Sequence, residues 1–96
     1  MKISVSEDAA QWYKRELNLK DNTYLRFFAR YGGFGGHIPS FSLGVSEQAP
    51  INMHTSVTIE NVVFYIEESD AWYFEDNDLS VTLDSVTEEP QFTVGH

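Results

Sequence analysis

Apolar and polar positions alternate along most of this chain in short runs separated by turns, and the period changes in two places. Lys2-Ile3-Ser4-Val5 alternates as a short strand does. Ser6 follows as a helix N-cap, with Glu7 and Asp8 in the first turn, where the helix dipole favours negative charge. Ala9, Tyr13 and Leu17 then share one helical face, with Trp12 beside them, and Lys14 and Arg15 fall near the C-terminal end. The polar run Asn18 to Asn22 closes the helix. Strand periodicity resumes with Leu25, Phe27, Ala29 and Tyr31 on one face and Arg26, Phe28 and Arg30 on the other.

After a glycine-rich turn, Phe41, Leu43 and Val45 alternate with Ser42, Gly44 and Ser46, and Pro50 ends that strand. Met53, Thr55, Val57 and Ile59 alternate again, and Glu60-Asn61 fits a tight hairpin turn without the glycine such turns prefer. Val62-Val63-Phe64-Tyr65-Ile66 is apolar on both faces, which predicts a central strand covered on both sides. Ser69 is placed to cap a short helix over Asp70 to Glu75, broken by Asp76-Asn77-Asp78. Leu79, Val81 and Leu83 mark the next strand, Glu88-Glu89-Pro90 a turn, and Gln91 to Val94 a last strand. The expected fold is a single α+β domain over residues 1–96, β-rich, with one N-terminal helix and one short helix before the last strands.

Charge narrows the classes of partner. All six basic residues lie within the first thirty, against four acids there, a net of +2; residues 31–96 carry eleven acids and no Lys or Arg, a net of −11. Nucleic-acid and anionic-membrane binding both rest on clustered Lys and Arg, so neither partner is expected. No apolar run reaches the length of a membrane helix, and the N-terminus turns acidic too early for a secretory signal. The chain has no cysteine, which removes disulfides, thiolate metal ligands and cysteine nucleophiles together and fits a cytoplasmic location.

The candidate chemistry is sparse. Gly32-Gly33-Phe34-Gly35-Gly36-His37 lacks the Gly-Lys-Ser/Thr ending of a phosphate loop and leads into Ile38-Pro39. It reads as a wide hairpin connection that needs positive φ. The alternative is a binding loop presenting backbone N–H groups and His37 to a partner. His37, His54 and His96 stand 17 and 42 residues apart, without metal-ligand spacing; His37 is the metal candidate if carboxylates complete a site. No nucleophile elbow surrounds Ser40 or Ser42, and Glu67-Glu68 and Glu88-Glu89 read as solvated carboxylates. Neither an enzyme nor a cofactor is expected. Trp72, Tyr73 and Phe74 are consecutive, so one helical stripe cannot bury all three. Either a second layer covers these rings or, with the outward Phe28, they form a candidate interface; the interface is the expected reading, with a second copy of the chain as the partner, and any other protein partner is unassigned.

The order of elements supports a family resemblance. The opening Ile3-Ser4-Val5-Ser6-Glu7-Asp8-Ala9-Ala10, the strand into Gly32-Gly33, and Phe41-Ser42-Leu43-Gly44 resemble the HesB-like, or A-type (IscA-like) iron–sulfur carrier, family. Val57 to Ile66 is similar to that family's hairpin of two apolar strands, Glu68 to Phe74 to its short helix and Leu79 to Leu83 to its next strand. The resemblance implies a HesB-like domain. The family's three cysteines are missing here: the turn offers Phe34 or Gly35, and the end of the chain Val94-Gly95-His96. The match is therefore to a cysteine-free, YneR-like branch, and cluster assembly is not implied. The function implied is a non-enzymatic binding or adaptor protein linked to iron–sulfur cluster metabolism. The alternative is a metal-binding protein using His and carboxylate ligands.

Overall fold

The computed structural model describes residues 1–32, 38 and 40–95. Their order is β1 (Ile3–Val5), α1 (Glu7–Glu16), β2 (Thr23–Tyr31), β3 (Phe41–Glu47), β4 (Met53–Ile59), β5 (Val62–Glu67), a 3₁₀ turn (Glu68–Asp70), α2 (Ala71–Phe74), β6 (Asp78–Leu83) and β7 (Pro90–Gly95). The fold is α+β and mostly β, with the helix near the N-terminus and the short one before the last two strands, as the alternation predicts. The strands form a four-stranded sheet, β3-β2-β5-β4, and a three-stranded sheet, β1-β6-β7. In the larger sheet β2 and β5 run parallel, while β3 and β4 pair antiparallel to them as outer strands. In the smaller sheet β1 runs parallel to β6.

Helix α1 begins directly after Ser6, an N-cap that keeps extended geometry and whose hydroxyl accepts from the Ala9 N–H at 3.3 Å. Its end corrects the expected helical stripe. Leu17 is the C-cap and stands 45% exposed, whereas Leu19 is buried. Asn18 takes the left-handed region (φ +54°), the Leu19 N–H donates to the Lys14 carbonyl at 2.9 Å and the Asn18 N–H to the Arg15 carbonyl at 3.4 Å. This reversal seals the helix end and folds the second residue beyond the cap back onto the core. Glu60 and Asn61 also have positive φ (+54° and +61°), so the β4–β5 connection is a tight turn of the primed kind without glycine.

Phe27 on β2 sits at the centre of the core. Its ring centroid lies 5.8 Å from Tyr13 of α1, 5.9 Å from Phe64 of β5 and 5.7 Å from Phe92 of β7. One side chain thus joins the helix, the neighbouring strand and the other sheet. Burial raises the Tyr13 hydroxyl far above the ordinary tyrosine pKa.

Strand β5 is central and buried along nearly its whole length, as its continuous apolar run predicts. Val62, Phe64 and Ile66 face the core. The opposite face is covered by the connection between β3 and β4. The Tyr65 hydroxyl donates to the Gln48 carbonyl at 2.6 Å, and the Glu67 carboxylate accepts from the Ile51 and Asn52 N–H groups at 2.6 and 2.7 Å. Burial, reinforced by Glu67, pushes the Tyr65 hydroxyl up against the lowering effect of Arg26. Glu67 is therefore buried, which corrects its expected solvation; two backbone donors replace the water it gives up.

The short helix also differs in detail from its expected form. Ser69 lies inside the 3₁₀ turn, and Asp70 stands at the N-cap of α2 without capping it. The Asp70 carboxylate is engaged by β2 instead. The helix ends in two left-handed residues, Glu75 (φ +50°) and Asp76 (φ +63°).

Candidate functional site

The far end of β2 carries an open aromatic corner. β5 pairs with β2 only over Thr23 to Arg26, so beyond that point β2 has β3 alone as its sheet neighbour. Tyr31, expected on the buried stripe, is 82% exposed for this reason. It lies opposite Phe41 in register, with ring centroids 5.6 Å apart. Phe41 meets Trp72 of α2 edge-on at 5.3 Å and the buried Tyr73 at 6.4 Å. Trp72 is 52% exposed, while Tyr73 and Phe74 are fully buried.

This separates the four residues of the expected interface. Tyr73 and Phe74 belong to the core and are withdrawn from it: neighbouring helical side chains point about 100° apart, so these two face the core while Trp72 turns to the rim. Phe28 points outward as expected but is half-buried, since its ring lies over Gly44. A Cβ at Gly44 would come within 2.4 Å of that ring, so the bare glycine makes room for it. The Arg26 guanidinium lies 5.6 Å from the Phe28 ring centroid, in cation–π range.

Asp70 fixes α2 against this stack. Its carboxylate accepts from Arg26 Nη2 at 2.6 Å and Nε at 3.2 Å, and from the Ala29 N–H at 3.3 Å. Neither side chain is freely solvated: Asp70 is 9% exposed and Arg26 21%. The pair consequently sets the position of Trp72 beside Phe41.

A groove of about 490 Å³ opens elsewhere, between the end of α1 and the β6–β7 connection. Trp12 and Leu83 supply its apolar wall, and Arg15, Glu16, Glu88 and Glu89 its charged rim. The connection is shaped by Asp84, whose Oδ1 accepts from the Val86 N–H at 2.7 Å and the Thr87 N–H at 3.0 Å. Those hydrogen bonds, Thr87 first, hold the Asp84 carboxyl below the usual carboxylate range. The volume suits a small ligand, yet the lining holds no arrangement of nucleophile and base.

Of the expected binding loop, Gly32 is described. Its φ of +101° meets the positive-φ requirement, and its N–H donates to the Ser40 carbonyl at 2.6 Å, closing the base of the β2–β3 connection. Gly33, Phe34, Gly35, Gly36 and His37 lie outside the described residues, as does His96. His54 faces Glu68, with Nδ1 3.1 Å from Oε1. Among the described residues no group of three or more His, Asp and Glu side chains could hold a metal ion. Also among them, no helix is long and apolar enough to cross a membrane. The residues that sequence reasoning missed are Tyr31 and Phe41. Their alternation pointed inward, and no local signal showed that the strand outruns its cover.

No family model matches the chain, and no solved structure does. Curated relatives do. The pyruvate dehydrogenase inhibitor of Bacillus subtilis is 42% identical over 92 residues, covering 96% of this chain and 97% of its own length. A protein of Staphylococcus saprophyticus is 36% identical, covering 93% and 94% of the two chains, and one of Staphylococcus haemolyticus is 35% identical, covering 84% and 85%. The first of these relatives overturns the expected role in iron–sulfur cluster metabolism, and with it the metal-binding alternative: its name refers to pyruvate dehydrogenase, not to a cluster or a metal. At this identity, over nearly the full length of both chains, the protein belongs to the family of the Bacillus subtilis pyruvate dehydrogenase inhibitor.

Proposed function

We propose that this chain is a regulatory protein that binds a pyruvate dehydrogenase in the cytoplasm and lowers its activity, acting by binding and not by turnover. The observation that carries this reading is the 42% identity to a pyruvate dehydrogenase inhibitor across 96% of the chain. Two features of the fold support it. The described surface offers an ordered aromatic corner suited to a protein partner. The groove beside Trp12 adds a charged rim of Arg15, Glu16, Glu88 and Glu89 to the described surface, which suits polar contacts with a protein.

The test is a titration of the purified chain into pyruvate dehydrogenase complex from the same cells, following the rate of pyruvate oxidation. The expected result is a saturable fall in rate that reaches its floor near stoichiometric occupancy. A rate unchanged at a large molar excess of the chain overturns the proposal.

A further inference from the structure

We propose that the corner formed by Tyr31, Phe41 and Trp72 is the face that docks the partner, and that it receives an apolar segment of that protein flanked by Lys or Arg. The inference rests on reading the chain as a binding regulator and adds where the contact lies and what chemistry it takes.

Three observations carry it. First, two exposed rings belong to one connected cluster. Tyr31 and Trp72, 82% and 52% exposed, both pack edge-on against Phe41, at 5.6 and 5.3 Å. Tyr and Trp are the side chains most enriched where interface energy concentrates, and contiguous exposed aromatic surface marks interaction sites. Second, the corner is organised in advance. Tyr31 and Phe41 are opposed in the β2–β3 ladder, and the Asp70 contacts to Arg26 and the Ala29 N–H hold the helix that carries Trp72. Rings already fixed lose little freedom on binding.

Third, charge selects the occupant. Residues 31–96 carry a net charge of −11, and Asp76 stands just beyond Glu75, the C-cap of the α2 turn that bears Trp72. A second copy brings the same −9 and is repelled, whereas a basic-flanked segment is drawn in. The groove at Trp12 is the weaker candidate, because its apolar wall is confined to Trp12 and Leu83.

The experiment measures binding of the chain to pyruvate dehydrogenase complex by calorimetry, with Tyr31→Ala, Trp72→Ala and the control Tyr24→Ala. Tyr24 is exposed at the opposite end of the same strand. Tyr31→Ala and Trp72→Ala are expected to keep the wild-type unfolding midpoint and to weaken binding about tenfold or more, with Tyr24→Ala within about twofold of wild type. Wild-type affinity is expected to fall as salt rises from about 50 to 300 mM, because screening weakens attraction between opposite charges.

Wild-type binding that neither corner variant alters overturns the docking face alone and leaves the regulatory reading standing. Absence of wild-type binding overturns both. Affinity that is flat or rising with salt overturns the basic-flanked occupant. A wild-type dimer in sedimentation velocity that Tyr31→Ala abolishes assigns the corner to a second copy and overturns the proposal.

Discussion

Phe27 and Phe41 are each the hub of an aromatic cluster, and the two clusters are built alike. Phe27 meets Tyr13, Phe64 and Phe92 at centroid distances of 5.7–5.9 Å. Phe41 meets Tyr31, Trp72 and Tyr73 at 5.3–6.4 Å. Ring spacing follows from close packing and the edge-to-face preference of the ring quadrupole, so it does not distinguish core from surface. The surroundings do. Around Phe27 the helix, the parallel neighbour β5 and strand β7 close on every side, and the ring is fully buried. Around Phe41 the larger sheet has narrowed to two strands, and the outer rings meet water. The same kind of contact contributes folding energy in one place and leaves binding surface in the other.

The largest expected effect tests that contrast directly. Phe27→Ala should cost about 3–5 kcal/mol, because it removes a ring that three elements enclose. Tyr31→Ala should cost about 0.5 kcal/mol or less, as substitutions at exposed positions do. Urea midpoints measured on both variants decide the matter, and equal losses would erase the distinction between the clusters.

Next in size is Asp70→Ala, which severs the link between α2 and β2. It leaves the Arg26 guanidinium and the Ala29 N–H without the acceptor they share. A loss of about 1–3 kcal/mol is expected, with a change in the near-ultraviolet signal of Trp72 as the outer cluster loosens. Unaltered stability together with an unaltered signal would show that packing alone holds the corner.

The smallest effect is read in the pH dependence. Tyr13 belongs to the buried cluster, and its pKa is raised by burial. A raised folded-state pKa stabilises the neutral form. That contribution is complete below the ordinary tyrosine pKa of about 10 and is lost as pH rises beyond it. Stability should therefore fall above about pH 10, and Tyr13→Phe should make the fall shallower while keeping the ring contacts. An alkaline limb identical in the two proteins would mean that Tyr13 ionises as freely folded as unfolded.

The alternation of side chains determined much of this molecule by itself. Every strand, the Ser6 cap, the glycine-free turn at Glu60-Asn61 and the central place of Val62–Ile66 follow from local rules. Period, capping chemistry and turn conformation act within a few residues of chain. The tertiary structure decided whatever depended on distant neighbours. It buried Leu19 in place of Leu17, divided Trp72 from Tyr73 and Phe74, and gave Glu67 and Asp70 the donors that permit a carboxylate to leave water. It also exposed Tyr31 and left Phe41 half-buried by ending the β2–β5 pairing early. A hydrophobic pattern records which residues can be covered; which of them are covered depends on where other elements stop, and that is set by contacts between segments far apart in the chain.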